Sequence, residues 1–412
     1  MNIIYNILLI IWIIIISPIA IYNRIFKKKY KGNILLRLGI LTPKFSNKIE
    51  KKFKIWIHAV SVGETKAVTE LIKKIKLDLP NAEIFLSSVT ETGYMESQKN
   101  PLIDHPFILP FDLAFTMRRL VKIISPDLFI LVETDFWFNL LKEIKRNGKK
   151  IVLINGKISI SSQKKFLYFF RFSTKLFNCI DLFCLQSEEY KNRFLKLSIS
   201  KEKIVVTGNI KLDSRSIVTL NDNLSFPEKK IIITIASTHE GEEDILLSEL
   251  INVDDNMLFL IAPRHPERFS KVAKLLINKN IKFKTIDQQI DGVEQVILIN
   301  KIGILNRCYS LSHIAIVGGS FVKNIGGHNI YEPITYNIPV LYGPYMEKQD
   351  DLVQLMQNYN VGQQVELKNL KKALLKHLKC CKDDYDFFKL QNNAQGATNK
   401  SWNLIKTILA IK

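Results

Sequence analysis

Residues 54–64 read KIWIHAVSVGE, and this stretch decides the fold. Residues 54–60 form a nearly continuous apolar run, which suits a parallel strand covered on both faces. A turn of small residues follows, in which Gly63 lets the backbone bend before a helix predicted at residues 65–79. Strand, tight turn and helix in this order form the repeating unit of doubly wound α/β folds.

The same alternation recurs along the chain in two successive series. The first series predicts further strands at residues 83–89, 128–132, 151–154, 182–185 and 204–207, with a second helix at 139–147. A polar stretch at 214–227 precedes the second series, whose strands are predicted at residues 230–235, 257–262, 295–299, 314–317 and 339–342. We therefore expect two doubly wound domains facing a central cleft, at residues 23–216 and 217–412, with a last helix able to cross back.

The composition excludes several classes of protein. Of 412 residues, 47% are hydrophobic, which excludes a disordered chain, and five cysteines without a CxxC pair indicate neither a disulfide scaffold nor a zinc module. The net charge is +20, with 36 basic and 18 acidic side chains in residues 23–216 against 23 and 21 in residues 217–412. The first domain is therefore expected to meet an anionic partner, which can be phospholipid, a phosphorylated substrate or nucleic acid.

The first 22 residues are almost wholly apolar and long enough to cross a ~30 Å hydrocarbon core as a helix. They lack the basic start and the small-residue cleavage site of a signal peptide, which is the alternative. Arg24 and four lysines between residues 27 and 31 follow directly. By the positive-inside rule we expect a single membrane anchor over residues 1–22, with the domains in the cytoplasm and the basic residues against anionic phospholipid.

Glu64 stands where the first predicted strand meets its helix. A carboxylate at this place suits a general base that takes a proton from an attacking hydroxyl, and the positive end of the helix favours its ionised form. Ser61 and Glu64 also match the S-x-x-E capping box, so a structural role at the helix start is the alternative.

Glu133 and Asp135 follow directly after the apolar run LFILV at residues 128–132. Two carboxylates at a strand end can be metal ligands, or one can cap a helix while the other pairs with an arginine. Because the sequence offers no third ligand nearby, we favour the interpretation without a metal.

Polar residues also follow the strands of the second series. Ser237 and Thr238 can offer hydroxyl and amide donors to a phosphate, and Arg264 lies between prolines in a stiff loop, where it can clamp a phosphate or carboxylate.

The densest motif joins Gly318-Gly319-Ser320 to Gly326-Gly327-His328-Asn329 and Glu332. Paired glycines expose backbone amides, a helix opening at Asn329 would direct its positive end at an anion, and Glu332 can accept hydrogen bonds from a ribose diol. This order predicts a nucleotide-sugar site.

Six motifs in register are WIHAVSVGE, VETDFW, TGNIKLD, ASTHEGEED, APRHPERF, and VGGSF with GGHNIYEP. They resemble the motif series of the 3-deoxy-D-manno-octulosonic acid (Kdo) transferases of Gram-negative lipopolysaccharide assembly, glycosyltransferase family 30, from about residue 36 to about residue 365. The resemblance implies a GT-B fold of two Rossmann-like domains at the inner membrane. It also implies inverting transfer of Kdo from CMP-Kdo to the 6′-hydroxyl of the lipid A precursor, with no metal or cofactor.

By this resemblance, Glu64 is the general base. The CMP moiety would be held by residues of the second domain, namely Arg264, Gly327, His328, Asn329 and Glu332, with Ser237, Thr238 and Gly303 nearby. Further residues would belong to the cleft or acceptor side of the first domain, namely Ser61, Gly63, Glu133 and Lys157.

The chain departs from the family pattern at two of these places. Residues 300–305 read NKIGIL where D-T-M-G-E-L is usual, so Gly303 keeps an amide for the donor while the acidic side chains are absent. Lys157 stands where arginine is usual and keeps the charge without the two-pronged geometry. We expect activity to persist because the base and the donor motifs remain.

Two alternatives stay open. One is a GT-B transferase that uses a different nucleotide sugar, and the other is a membrane-tethered protein that binds anionic lipid or RNA through the basic half. The lysines are dispersed and no basic and aromatic recognition motif occurs, so we expect no nucleic acid as a partner.

Overall fold

The structure is a computed structural model that describes residues 2–26, 34–39, 43, 45, 53–213, 226, 230–251, 253–394 and 396–411. It divides into two compact units, of which unit 1 is Met1–Ser214 with Ala394–Lys412 and unit 2 is Arg215–Asn393. Each unit contains one seven-stranded sheet in which every described pair of strands is parallel. The predicted α/β class with two parallel sheets is confirmed.

Unit 1 has the strand order β3-β2-β1-β4-β5-β6-β7. The strands are β1 Lys54–His58, β2 Glu83–Ser88, β3 His105–Ile108, β4 Leu128–Val132, β5 Lys150–Gly156, β6 Leu182–Leu185 and β7 Ile204–Val206. The helices are α1 Asn2–Phe26, α2 Ile34–Arg37, α3 Val62–Ala67, α4 Thr69–Asp78, α5 Glu91–Gln98, α6 Ala114–Ile124, α7 Phe138–Arg146, α8 Ile160–Tyr168, α9 Phe170–Phe177 and α10 Glu188–Leu195.

The central strands of unit 1 are buried on both faces, as their apolar runs predict. Trp56 of β1 packs in one hydrophobic cluster, whereas its neighbours Ile55 and Ile57 pack in a second cluster on the opposite face. Alternate side chains of a strand point to opposite faces, so a continuous apolar run fills two cores at once. This placement fixes the carboxyl end of β1, where the turn to α3 begins.

Unit 2 has the strand order β10-β11-β9-β8-β12-β13-β14. The strands are β8 Ile231–Thr238, β9 Met257–Pro263, β10 Phe283–Thr285, β11 Val296–Leu298, β12 Ile314–Val317, β13 Val340–Tyr342 and β14 Gly362–Gln364. The helices are α11 Glu242–Leu250, α12 Phe269–Asn278, α13 Leu305–Leu311, α14 Asp350–Asn358, α15 Leu370–Lys379 and α16 Phe387–Ala394.

Three strands that the sequence analysis did not predict are β3, β10 and β14, and all lie at sheet edges. Their sequences, HPFI, FKT and GQQ, contain no apolar run because an edge strand is only partly covered. Pro106 in β3 is tolerated for the same reason, since an edge strand can leave one side of its backbone unpaired.

The last helix, α17 Ala397–Leu409, belongs to unit 1 although the chain reaches it after unit 2. Both carboxylate oxygens of Asp213 accept backbone N–H groups at its start, from Gly396 and Thr398, each at 2.6 Å. The buried Trp402 donates its indole N–H to Asp78 of α4 at 2.8 Å. The end of the chain is therefore part of the core of unit 1.

The predicted membrane anchor is wrong. Across the described residues, no helix is both long enough and apolar enough to cross a membrane. The start of α1 is instead committed to protein contacts: the Tyr5 hydroxyl donates to Asp112 at 2.9 Å, and the Asn6 side-chain oxygen accepts from the Ala114 backbone at 3.0 Å and the Asn139 amide at 3.1 Å. The inner-membrane location inferred from an anchor at residues 1–22 is withdrawn with it. The basic residues at 27–31 lie outside the described residues, as does the side chain of Arg24.

Candidate functional site

Glu64 lies in the first turn of α3, directly beyond the carboxyl end of β1. Ser61 caps this helix by accepting the Glu64 N–H at 3.3 Å. In return, Glu64 Oε2 accepts the Val60 N–H at 2.8 Å and Oε1 accepts the Ser61 hydroxyl at 2.9 Å. The capping interaction that was the alternative interpretation therefore exists. Each carboxylate oxygen has a second lone pair, so the cap does not use up the capacity of Glu64 to accept a proton.

The environment of Glu64 favours its protonated form more than the helix start alone suggests. Burial, followed by the charge of Glu133, raises the pKa of the Glu64 carboxyl above its ordinary value. Hydrogen bonds from Val60 and Ser61 and the charge of Lys211 act in the opposite direction without cancelling the rise. A carboxylate with a raised pKa is a stronger base, which is the property required for proton abstraction near neutral pH.

Glu133, the next acidic residue of this site, lies just beyond β4 and is 7% exposed. Its Oε1 is 2.5 Å from Lys211 Nζ and its Oε2 is 3.1 Å from Lys157 Nζ. Burial alone would raise the pKa of the Glu133 carboxyl, but the two ammonium groups outweigh it and hold the pKa below its usual range. Glu133 is therefore ionised and pairs with two lysines, whereas the sequence analysis expected an arginine as the partner of one of the two carboxylates.

Asp135 points to different partners from Glu133. Its Oδ2 accepts the indole N–H of Trp137 at 2.5 Å and lies 3.3 Å from Nε2 of His58, a buried residue of β1. Within the described residues, no group of three or more His, Cys, Asp or Glu side chains could hold a metal ion. The two carboxylates of the VETDFW motif thus have separate contacts.

The sequence analysis placed Gly63 in a bend before the helix, but α3 begins at Val62, so Gly63 lies in the first turn of the helix and Ser61 caps it. Gly63 is exposed, and a Cβ added there would meet only Ser61 Oγ at 3.9 Å. This side of the turn is therefore open to a ligand that approaches Glu64.

In unit 2, a buried carboxylate holds the glycine turn that follows β12. Glu242, the first residue of α11, is 0% exposed. Its Oε2 accepts the N–H groups of His239 and Gly319 at 2.8 and 2.7 Å, and its Oε1 accepts those of Ser320 and Phe321 at 3.1 and 2.9 Å. The expectation that this turn exposes its amides to a ligand is wrong, because a side chain of the same unit already binds them.

Thr238 is likewise bound within unit 2. Its hydroxyl donates to Glu243 Oε1 at 2.6 Å, and Arg268 makes a two-pronged ion pair with the same carboxylate, with both N–O distances at 2.7 Å. Ser237, beside it, has a left-handed φ of 55°, a conformation that non-glycine residues rarely adopt. Arg264 follows the end of β9 and is exposed. Its backbone N–H donates to the carbonyl oxygen of Thr238, the last residue of β8, at 3.0 Å.

Two histidines meet at the glycine turn. Nε2 of His239 and Nε2 of His328 are 2.8 Å apart, and their rings stack with centroids 5.0 Å apart. Burial, then the neighbouring charges of His239 and Arg264, lower the pKa of His328 to about 4. Both rings can therefore be neutral at pH 7, one N–H donating to the other ring. A neutral imidazole can still donate one ring N–H to an anion.

The segment after the glycines has a different backbone from the one predicted. No α-helix opens at Asn329; a 3-10 turn at Pro333–Tyr336 stands there instead. Pro333 has no N–H to donate to the Asn329 carbonyl, and its ring would clash with that carbonyl in an α-helix. Asn329 accepts the Tyr331 N–H at 3.0 Å and donates to Glu332 Oε1 at 3.3 Å, so the two predicted ribose-binding side chains are adjacent.

The remaining residues predicted to bind the nucleotide-sugar donor are two glycines. Gly327 donates its N–H to Gly319 O at 2.8 Å, which joins the two glycine motifs. Gly303 lies in an exposed turn between β11 and α13, with a φ of 94°.

Comparison with known proteins identifies the family. The family model described as 3-deoxy-D-manno-octulosonic-acid transferase (kdotransferase) matches residues 33–214. A 3-deoxy-D-manno-octulosonic acid transferase of Chlamydophila psittaci is 32% identical over 379 residues, which cover 90% of this chain and 87% of that protein. The chain belongs to the Kdo transferase family. A member from Haemophilus influenzae is 32% identical over 336 residues, covering 75% of this chain and 77% of that protein.

Solved structures show that this Kdo transferase family member shares its fold with an epimerase and a glycosyltransferase. The UDP-GlcNAc 2-epimerase from Neisseria meningitidis, bound to UDP-GlcNAc, matches with a TM-score of 0.63 at 16% identity, covering 87% of this chain and 100% of that one. A glycosyltransferase from Rickettsia africae matches with a TM-score of 0.57 at 18% identity, covering 87% and 99%. At these identities the likeness concerns the fold alone, two parallel-sheet α/β domains of GT-B type.

Three residues of the candidate sites in the two units were missed by the sequence analysis. They are Lys211, His239 and Glu242. Each lies inside a motif that the sequence analysis quoted, TGNIKLD or ASTHEGEED, so the motif itself was the available signal. Their partners, however, come from distant parts of the chain and are joined only by the fold.

Proposed function

We propose that this Kdo transferase moves Kdo from CMP-Kdo to the 6′-hydroxyl of a lipid A precursor, with Glu64 as the general base. In this reaction the base takes the hydroxyl proton while the oxygen attacks the anomeric carbon of Kdo. The bond from that carbon to the CMP oxygen breaks on the opposite face, so the configuration inverts. CMP leaves as an anion and the proton stays on Glu64.

The observation that carries the proposal is the environment of Glu64. It lies at the carboxyl end of a central parallel strand, where ligands bind in doubly wound folds. Its carboxylate is anchored by hydrogen bonds from Val60 and Ser61, and burial and Glu133 raise its pKa. A fixed carboxylate of increased basicity at a ligand-binding edge is suited to general-base catalysis.

Unit 2 supports the proposal through its donor candidates. The carboxyl ends of β8, β9 and β12 carry Ser237, Arg264 and the glycine turn. His328 and Arg264 are suited to a phosphate, since a neutral imidazole can donate one N–H and a guanidinium carries several charged N–H donors. The adjacent Asn329 and Glu332 are suited to a ribose diol.

The acceptor class is supported by the family and by charge. The lipid A precursor is bisphosphorylated, and the excess of basic residues lies in residues 23–216. Among the described residues of this region, Lys157 and Lys211 have side chains about one-third exposed beside Glu133. An anionic acceptor that approaches Glu64 would meet these two cations.

The test uses Glu64→Gln rather than Glu64→Ala as the informative variant. Gln keeps a carbonyl oxygen for the Val60 N–H and an amide for the Ser61 hydroxyl, whereas Ala removes both of these side-chain contacts and so mixes a structural effect with loss of the base. Loss of a general base lowers turnover by about 10²- to 10⁴-fold. We expect Glu64→Gln to show this loss with an unchanged unfolding midpoint and unchanged CMP affinity.

Mass spectrometry of the product formed from CMP-Kdo and a lipid A precursor measures the transfer, and competition by CMP, UDP and GDP tests the donor. Undiminished turnover in Glu64→Gln would refute the assignment of the base. Stronger competition by UDP or GDP than by CMP would refute the donor.

A further inference from the structure

The cluster around Glu133 contains more charge than a simple ion pair. One buried carboxylate is shared by two ammonium groups, Lys211 Nζ at 2.5 Å and Lys157 Nζ at 3.1 Å. The lysines come from different places: Lys157 follows β5, and Lys211 lies in the 3-10 turn Ile210–Leu212. Two cations on one buried carboxylate keep it ionised where burial alone would protonate it.

The backbone that builds this cluster is unusual at two adjacent strand ends. Glu133 and Asn155 both have left-handed backbone angles, with φ of 63° and 54°. The two side chains contact each other, since Asn155 Nδ2 lies 3.3 Å from Glu133 Oε1. Strained backbone of this kind is maintained where the surrounding structure requires it, most often at functional sites.

Asn155 also fixes the position of Lys211. It is fully buried, and its side-chain oxygen accepts the Ile210 N–H at 3.1 Å, while its backbone oxygen accepts from Gln186 at 3.0 Å. The residue that follows Ile210 is Lys211, so the strand end holds the turn that directs the ammonium group to Glu133. The geometry of the ion pair is thus determined by buried polar contacts.

The same cluster lies beside Glu64. The 3-10 turn that carries Lys211 contacts α3, whose first turn contains Glu64. The other charged residues on α3 and on the helices next to it are Lys66 on α3, Glu70, Lys73, Lys74, Lys76 and Asp78 on α4, and Glu91 and Glu96 on α5. The two charged groups identified as acting on Glu64 are Glu133, which favours its protonated form, and Lys211, which favours its ionised form.

We propose that Lys211, Glu133 and Lys157 form a charge cluster that controls the protonation of Glu64, with Glu133 and Lys211 acting on it in opposite directions. Glu133 and Lys211 are positioning residues, because they act through Glu64. The inference rests on the proposed role of Glu64 as the general base. No bond is made or broken in the cluster.

The test is the pH dependence of kcat/KM for Kdo transfer by the full chain. Activity that needs an ionised base falls on the acid side as that base becomes protonated. Glu133→Gln removes the neighbouring negative charge. The acid limb of the pH profile, where activity falls as the base is protonated, should therefore move to lower pH. Lys211→Met removes the neighbouring positive charge while Lys157 still pairs with Glu133, so the limb should move to higher pH. The ratio of kcat/KM at pH 5 to kcat/KM at pH 8 should rise by about threefold or more in Glu133→Gln. The same ratio should fall by about threefold or more in Lys211→Met.

Two further variants separate charge from structure. Lys211→Arg keeps the cation and should restore the wild-type limb. Lys145→Met is the matched control, because Lys145 Nζ also lies 2.5 Å from a carboxylate, Asp181, of unit 1, and should leave the limb in place. Circular dichroism and the unfolding midpoint verify that each variant is folded.

The proposal would be overturned if the acid limbs of Glu133→Gln and Lys211→Met coincided with that of the wild type. It would also be overturned if both limbs moved in the same direction. If Glu133→Gln does not fold, Lys211→Met and Lys211→Arg decide the matter alone, and an unmoved limb in Lys211→Met overturns it. Retained turnover in Glu64→Gln would instead refute the proposed base. Complete loss of transfer in a folded Glu133→Gln, with Glu64→Gln active, would make Glu133 the base and overturn both.

Discussion

Glu242 is the residue whose replacement by glutamine gives the sharpest test of how unit 2 is built. The change preserves the shape of the side chain and replaces one carboxylate oxygen by an NH₂ group. Each oxygen of Glu242 accepts two backbone N–H groups, from His239 and Gly319 or from Ser320 and Phe321. Whichever way the amide turns, its NH₂ group faces two N–H donors.

The magnitude follows from those two lost acceptors. A buried N–H left without a partner costs about 1–3 kcal/mol, so two cost about 2–6 kcal/mol. A neutral amide is easier to bury than a carboxylate, which offsets part of this, and we expect unit 2 to lose about 2–4 kcal/mol. Since whole domains are stable by about 5–15 kcal/mol, the loss should be easy to measure.

Hydrogen exchange followed by mass spectrometry is the appropriate assay, because a chain of two units need not unfold in one step. The amides of residues 319–321 should exchange faster in Glu242→Gln, and the urea midpoint of unit 2 should fall. CMP affinity should fall as well, since Gly327 is hydrogen-bonded to Gly319. Glu240→Gln is the control, as its side chain is 80% exposed and 3.6 Å from Lys271. Unchanged exchange and an unchanged midpoint in Glu242→Gln would refute the reasoning.

Three further predictions concern single sites. Gly327→Ala should weaken CMP binding and destabilise unit 2 by about 1–3 kcal/mol, because its φ is 79° and an added Cβ would lie only 2.3 Å from Met346 Sδ; titration calorimetry and urea unfolding measure both. Trp402→Ala should destabilise unit 1 by about 3–5 kcal/mol in urea unfolding, since this side chain near the end of the chain is fully buried. For His328, the folded-state pKa of about 4 lies below the unfolded value of 6.5, so the unfolded chain binds more protons between them. The stability of unit 2 should therefore be full above pH 6.5 and fall as the pH drops towards 4, by about 3 kcal/mol at most, in unfolding curves at several pH values.

Each of these has a matched comparison. Gly241→Ala shares the left-handed backbone, with a φ of 89°, but no heavy atom lies within 4 Å of the added Cβ, so it should affect CMP binding less than Gly327→Ala. Equal effects would show that the Met346 contact is irrelevant. Trp402→Phe should recover part of the loss in Trp402→Ala. His328→Gln should flatten the pH dependence, and an unaltered slope would assign it to another group.

The amino-acid sequence alone determined the class of fold and most of the sheet. Strands at residues 128–132, 182–185 and 314–317 were predicted with the bounds that β4, β6 and β12 have. Central parallel strands must be apolar on both faces, and that requirement is visible in the residues themselves. Edge strands carry no such requirement, so β3, β10 and β14 became visible only when the sheets were assembled.

The apolar run at the start of the chain shows that hydropathy alone does not predict how a helix is used in the fold. Length and hydropathy predicted a membrane anchor, but they carry no information on the polar contacts that the start of this helix makes with the rest of unit 1. The polar contacts of Tyr5 and Asn6 with Asp112, Ala114 and Asn139 arise between segments more than a hundred residues apart. No local pattern encodes them.

The candidate site also has some features that the sequence predicted and others that only the structure shows. Motifs and spacing located Glu64 at a strand end and the candidate donor-binding residues at the strand ends of the second series, because binding at such edges depends on local turn chemistry. Which charges act on Glu64, and whether the amides after β12 are available, depended on Glu133, Lys211 and Glu242. Electrostatic interaction depends on distance in space and on burial, and both are set only when strands far apart in the chain become neighbours.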